Sequence, residues 1–337
     1  MIPDDQTPQL DDLDMALIRE LQIDGRQSII GLASKTGASR PTVRKRLDRL
    51  LRQNTIRVTA VPGDAVMAHR TSAYIGLNVR PHRVKAVAER LVALRNAYIV
   101  SICAGRYDIL VWAAFRDTSR LSDFVMHRLN KDPDILRSEV MVQLQTKKAA
   151  LAYLADGTEQ AADLALSGTK GNGREEVDAL DLKLIGELQI DGRQSISILA
   201  KKVGVSRDTV RKKLERLLER RIIRVLAQSD PVALGYHSGA MLGINTEPAE
   251  VESVAERLAS YQNLRYIAIC AGRYDIIAWA LCRDPRALSH LIVDEIGSDP
   301  NIVRSETMIN LDMKKYLAFD SGIRYSDIVN DGPEDQS

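Results

Sequence analysis

LDMALIRELQIDGRQSI (residues 13–29) returns as LDLKLIGELQIDGRQSI (residues 180–196), and the 167-position offset between them never slips along the chain. It relates Arg40, Thr42 and Arg44 to Arg207, Thr209 and Arg211, and Trp112 to Trp279. It also relates Ile102-Cys-Ala-Gly-Arg-Tyr-Asp108 to Ile269-Cys-Ala-Gly-Arg-Tyr-Asp275. A repeat this long is no solenoid unit of roughly 20–50 residues; each copy is the size of a small protein.

Each copy reads as a helical third followed by a mixed two-thirds. Leu13, Leu17, Ile18 and Leu21 fall at helical spacing, and Gly25 stands where that helix would stop. A second short helix is expected over Ile29–Thr36, a turn at Gly37, and a third helix of about 15 residues capped by Ser39. Thr55–Val61 reads as a short strand. Beyond it the expected order is strand Ser72–Val79, helix His82–Leu94, strands Tyr98–Cys103 and Ile109–Phe115, helix Ser119–Leu129 and strand Leu136–Leu144. That βαββαβ order is the ferredoxin-like unit, one antiparallel sheet with both helices on one face. Copy two repeats it from about Gly239 to Met313.

The fold class is therefore α+β: two copies of a three-helix helix-turn-helix domain, each followed by a ferredoxin-like domain. The boundaries read as 10–62 and 178–230 for the helical domains, and 70–148 and 237–315 for the sheet domains. Residues 149–177 are the linker, with Gly168–Arg174 (GTKGNGR) as its joint, and 316–337 form a tail. The linker glycines lack the Gly-Lys-Ser/Thr ending of a phosphate loop.

The third helix carries the chemistry. Val43, Leu47 and Leu50 form its apolar stripe, so Arg44, Lys45 and Asp48 point outward. Residues 40–57 hold seven Lys/Arg and one acid, and residues 207–224 hold eight Lys/Arg and three acids. Behind a short helix and a glycine turn, this is how a recognition helix is presented to a DNA major groove. Ser39, Arg40 and Thr42, with Ser206, Arg207 and Thr209, suit phosphate at the helix start. Arg44 and Lys45, with Arg211 and Lys212, suit base edges. Arg46 and Arg49, with Lys213 and Arg216, complete the expected DNA-binding set, touching backbone or acidic neighbours. Asp208 in place of Pro41 either favours the helix dipole or faces the groove.

Composition limits the alternatives. The net charge is only +2, so a basic surface must come from clustering. Aromatics at 4% argue against a stacking reader of single-stranded RNA. The acidic start MIPDDQTPQLDDLD is unlike a signal peptide, and no apolar run is long enough for a bilayer, so a cytoplasmic protein is expected. Cys103, Cys270 and Cys282 show neither disulfide nor zinc spacing and read as core residues. No catalytic residue, metal ligand or cofactor is expected.

The ordered set Leu-Asp-x-x-Leu-Ile, Asp-Gly-Arg-x-Ser, Gly-x-Ser, Thr-Val and Gly-x-Tyr-Asp, present twice, resembles the Lrp/AsnC, or feast/famine, transcription regulators. The resemblance implies a DNA-binding head and a sheet domain that dimerises and binds an amino acid or similar small effector. It implies effector-binding roles for Gly105, Arg106, Tyr107 and Asp108, and for Gly272, Arg273, Tyr274 and Asp275, beside their role as a hairpin turn. The implied partners are double-stranded DNA, the effector and further copies of the chain, built on a pseudo-dimer within each chain. Two departures stand out: ordinary members have one copy, and the usual glycine before the wing strand is replaced by Asn54 and by Arg221.

A rival reading comes from enzymes. Siroheme decarboxylases resemble the same two-domain architecture and can occur as fused pairs, and the fold does not settle function. Such chemistry needs His, Arg or Tyr gathered to hold a carboxylated tetrapyrrole. None of the five histidines here has a histidine as its repeat partner: His69 faces Tyr236, His82 faces Ala249, His127 faces Asp294, Arg70 faces His237 and Asp123 faces His290.

Overall fold

The computed structural model describes residues 10–62, 70–149, 177–229 and 231–315. The glycine joint, His69 and the tail lie outside the described residues.

In the first head, α1 (Asp12–Ile23) opens with a reciprocal capping box. The Asp11 carboxylate accepts from the Asp14 N–H, and the Asp14 carboxylate accepts from the Asp11 N–H. Ser28 caps α2 (Ile29–Thr36), which ends on Gly37 at φ 71°. Ser39 caps α3 (Arg40–Arg52), with Pro41 in its first turn where no N–H is needed. Leu17, Ile18, Leu21, Leu32, Val43, Leu47 and Leu50 are all buried between the three helices. The second head repeats this as α6 (Ala179–Ile190), α7 (Ile196–Val203) and α8 (Arg207–Glu219).

Asn54 and Arg221 both hold φ at 52°, so the turn made elsewhere by glycine forms without one. The strands that follow, β1 (Ile56–Pro62) and β6 (Ile223–Ser229), pair with each other in antiparallel register from Ile56↔Ser229 to Pro62↔Ile223. What reads in sequence as a short isolated strand is thus the seam between the two heads. Their buried residues form a single core, with Leu17 and Val58 in the same cluster as Leu184 and Val225.

Gly25 does more than stop a helix, which already ends at Ile23. Its N–H donates to the Val225 carbonyl at 2.8 Å, and the Gly192 N–H donates to the Val58 carbonyl at 2.7 Å. A Cβ on Gly25 would stand 2.6 Å from Val58 Cγ1 and 2.9 Å from the Val225 oxygen. The glycine is required by this approach of one copy to the other.

The first ferredoxin-like domain runs β2 (Thr71–Val79), α4 (Val84–Val92), β3 (Ala97–Ala104), β4 (Ile109–Phe115), α5 (Thr118–Asp123) and β5 (Ile135–Ala149). Pro81 opens a tight turn before α4, and α5 continues as a π-helical turn over Phe124–Leu129. The second runs β7 (Ser238–Thr246), α9 (Val251–Ser260), β8 (Leu264–Ala271), β9 (Ile276–Cys282), α10 (Pro285–His290) and β10 (Ile302–Lys315).

Strand β5 overruns its expected end at Leu144 and reaches Ala149, inside the expected linker. The physical reason is a second partner: its far half pairs with β8 of the other copy, Val142↔Ala271 through Ala149↔Tyr266. Strand β10 pairs with β3 in the same way. The result is one closed eight-stranded barrel in the order β10-β3-β4-β2-β5-β8-β9-β7. Both sheets fill its interior, Tyr74, Tyr98, Trp112 and Met141 packing with Met241, Tyr274, Ile277 and Met308. Each pair of helices covers the outer side of its own sheet: Val87, Leu91 and Phe124 in copy one, Val254, Leu258 and Leu291 in copy two. Cys103 and Cys270 pack inside the barrel, where burial pushes the Cys270 thiol up to about 12.

Candidate nucleic-acid interface and inter-copy seam

The start of each third helix faces solvent. Ser39, Arg40, Thr42, Arg44 and Lys45 are exposed, as are Ser206, Arg207, Arg211 and Lys212, with Thr209 half-buried. The Ser39 hydroxyl accepts from the Thr42 N–H at 3.3 Å and lies 2.8 Å from the Thr42 hydroxyl, and Ser206 and Thr209 repeat the arrangement. Two hydroxyls are therefore gathered at the exposed start of each third helix. The heads differ at one position: Asp208 accepts from the Arg211 guanidinium at 3.2 Å, an interaction Pro41 cannot offer Arg44.

Four residues of the expected DNA-binding set are engaged inside the heads. Arg46 and Arg49 both donate to Asp14, whose side chain is only 1% exposed. In copy two, Lys213 and Arg216 both reach the buried Asp181. A buried carboxylate needs paired charge, and these side chains supply it by clamping the third helix to the first. The Lys213 hydrogen bond also holds Asp178 down at about 2. Arg46, Arg49, Lys213 and Arg216 thus pair with acidic neighbours inside the heads, one of the two roles read for them in sequence.

Sequence reasoning missed Arg26 and Arg193. Arg26 donates to the carbonyls of Gly192 and Gln194, the latter at 3.1 Å. Arg193 donates to those of Gly25 and Gln27, at 2.5 and 2.8 Å. The signal was present, since a helix stop explains a glycine but not the arginine after it in both copies.

The Gly-Arg-Tyr-Asp turns lie at the barrel seam. Gly105 has φ 135° and Gly272 has φ 147°. A Cβ on Gly105 would stand 2.7 Å from the Thr307 oxygen, and one on Gly272 would stand 3.0 Å from Met141 Cα. Each turn is thus pressed on the last strand of the other copy. Asp108 fixes its turn by accepting from the Val79 N–H at 2.8 Å, and Asp275 accepts from the Thr246 N–H at 3.0 Å. Their role in this structure is that of the hairpin.

Arg106 and Tyr107 converge on Glu139, a residue not singled out in sequence. Arg106 donates to it at 2.9 Å, the Tyr107 hydroxyl at 2.6 Å, and Arg137 approaches at 2.7 Å. Arg273, Tyr274 and Arg304 gather on Glu306 in the same way. Across the seam Arg106 lies 3.8 Å from Glu306, and Arg273 lies 3.8 Å from Glu139. Burial pushes the Glu139 carboxyl up, but the hydrogen bonds from Arg106 and Tyr107 reverse this and hold it below the usual range. Burial and the Glu139 carboxylate together push the Tyr107 phenol well up. The recurring Arg-Ser-Glu of residues 137–139 and 304–306 was the available signal.

The model of the AsnC-type helix-turn-helix domain matches residues 10–51 and 177–218, and that of the Lrp/AsnC ligand binding domain matches 72–152 and 239–317. An uncharacterised HTH-type transcriptional regulator of Pyrococcus furiosus is 33% identical over 141 residues, 42% of this chain and 95% of that protein. The HTH-type transcriptional regulator LrpA of Pyrococcus horikoshii is 30% identical over 129 residues, 38% of this chain and 92% of its own. Among solved structures, the siroheme decarboxylase NirDL is similar over 94% of this chain and 98% of its own, with a TM-score of 0.63 at 14% identity. At that identity the likeness shows the fold of a two-copy chain. With both domain models matched twice, the chain belongs to the Lrp/AsnC family.

Proposed function

We propose that this chain is a sequence-specific transcription regulator that grips double-stranded DNA with two unlike heads. The observation that carries this reading is the pair of exposed, basic helix starts, Arg40–Lys45 and Arg207–Lys212, mounted on one packed unit by the β1–β6 ladder. Arg44, Lys45, Arg211 and Lys212 are assigned to base edges. Ser39, Arg40, Thr42, Ser206, Arg207 and Thr209 are assigned to phosphates. A regulator of this kind works where the chromosome is, in the cytoplasm, and as an assembly of several chains. Footprinting on genomic fragments selected by the protein tests the reading. Arg44→Ala and Arg211→Ala each weaken the selected site roughly tenfold, about 1–3 kcal/mol for a lost bidentate base contact. Unchanged affinity in both variants at physiological salt removes the assignment.

The effector reading places a small amino-acid-like metabolite at the seam, beside Gly105, Arg106, Tyr107 and Asp108 and beside Gly272, Arg273, Tyr274 and Asp275. It is supported by the match to the ligand binding domain and by the meeting of both turns with the opposite copy. A thermal-shift screen of amino acids checks it; no stabilising compound counts against it.

The full-length likeness to NirDL, one structure of which is a co-complex with an iron-uroporphyrin III analogue, favours an enzyme as the second reading. Against it, His82, His127, His237 and His290 are all exposed and distributed over the outer surface of the sheet domains. An absorbance change and carbon dioxide release on adding a siroheme-type tetrapyrrole would revive it.

A further inference from the structure

The two outer helical layers of the barrel carry opposite charge. In copy one, residues 80–96 and 116–134 hold nine Lys/Arg and five Asp/Glu, a net of +4. The equivalent residues of copy two, 247–263 and 283–301, hold three Lys/Arg and eight Asp/Glu, a net of −5. The change is made position by position: Arg80 faces Glu247 in the repeat, Arg83 faces Glu250, Lys85 faces Glu252, His127 faces Asp294 and Arg128 faces Glu295.

The fold sets these layers on opposite sides of the molecule. The sheets face each other across the barrel interior, and each pair of helices covers the outside of its own sheet. Both layers are solvent-facing: Arg80, Lys85 and Lys131 are exposed on one, Glu247, Asp294 and Ser298 on the other. Each also exposes an apolar side chain at the same repeat position, Met126 (57%) on the basic layer and Val293 (64%) on the acidic one. The basic layer is indented by a groove of about 630 Å³ lined by Arg90, His127, Arg128 and Lys131 together with Asp132 and Asp134, both of which pair with Arg90. Part of the acidic charge is answered within the chain, since Lys147 of β5 pairs with Glu252 and Glu256. Glu247 and Asp294 remain at the surface.

We propose that chains associate head to tail, the basic helical layer of copy one docking on the acidic helical layer of copy two of the next molecule. The occupant is a second copy because the same chain carries the complement of its own basic face; a nucleic-acid path along copy one would leave the acidic face of copy two without a counterpart. A dimer of identical subunits presents the same charge on both sides and cannot make this contact. Fusion permits it. The contact is heterologous, so it closes into a ring or propagates as a filament. Its charges act on encounter and register, and its strength falls with salt.

The test is sedimentation of the full chain at about 50 and 500 mM salt, across the Debye range that separates strong from weak screening. Wild type associates at low salt and dissociates at high salt. Lys85→Glu with Lys131→Glu takes the basic layer from +4 to zero, and Glu247→Lys with Asp294→Lys takes the acidic layer from −5 to −1. Each variant alone loses association, with a dissociation constant raised on the order of tenfold or more. The two mixed together associate again, which misfolded chains could not do. Wild type that stays a single chain at both salts overturns the proposal, as does association indifferent to either reversal or a mixture that fails to reassociate. Loss of binding to long DNA on reversing Lys85 and Lys131, with no change in association, also overturns it and makes the basic layer a DNA path.

Discussion

Arg26 and Arg193 each hold the backbone of the opposite copy, and they do so reciprocally, each spanning the Gly-Arg-Gln loop that carries the other. Burial pulls both guanidinium pKa values down, but both stay charged. Arg26→Ala strands two carbonyls at the seam and is expected to destabilise the paired heads by about 2 kcal/mol, the worth of charge-assisted hydrogen bonds. Thermal unfolding checks this, and Arg26→Lys, which lacks the fork, rescues little.

Arg221 holds φ at 52°, a conformation that costs a side chain with a Cβ roughly 1–2 kcal/mol. Glycine at 221 is therefore expected to be more stable than alanine there by about 1 kcal/mol, the reverse of their order inside a helix. Denaturant midpoints of Arg221→Gly and Arg221→Ala decide it.

Asp178 has a folded pKa of about 2 against its ordinary 3.8, through the Lys213 hydrogen bond and then the Asp181 N–H. A depressed carboxylate contributes stability that is complete above its unfolded pKa and lost as pH falls through the folded one. The second head should weaken between about pH 4 and pH 2 for this reason. Asp178→Asn should flatten that part of the acid titration followed by circular dichroism.

Asp208 engages Arg211 before any DNA arrives, whereas Pro41 leaves Arg44 without such a neighbour in its first turn. Removing the carboxylate in Asp208→Ala frees the guanidinium and lessens repulsion of phosphate. Affinity of the second head for DNA is expected to rise roughly fivefold, about 1 kcal/mol, with a steeper salt dependence. A gel-shift salt series measures both, and an unchanged slope would sink the idea.

Glu139→Gln removes the carboxylate on which Arg106, Arg137 and Tyr107 converge. The Tyr107 phenol, held up by that charge and by burial, should then titrate at lower pH, which ultraviolet absorbance can follow.

Much of the fold was legible because each head is built from local signals. Ser28, Ser39 and Gly37 cap and turn the helices where their side chains or backbone freedom require. The extension of β5 to Ala149 was not legible, since Gln143–Ala149 has no apolar alternation to mark a strand and is ordered by pairing with β8. Similarly, α5 stops short at Asp123 and yields to a π-helical turn that a helical periodicity cannot distinguish. In the candidate site, the exposed arginines were readable from their distance to the apolar stripe. The partners of Arg46 and Arg49 were not, because Asp14 lies 32 and 35 residues away and meets them only once the helices pack.

Strands β5 and β10 each complete the sheet of their own copy and then run on to pair with the other, so the barrel closes only where both halves of the chain are present. A protease cut within residues 150–176 should leave two polypeptides still held together along the β5–β8 and β10–β3 seams. Two separately expressed halves should find each other through the same two seams and the β1–β6 ladder. Such a protein inherits its symmetry as a constraint on what lies between the copies, while its outward-facing surfaces are free to diverge.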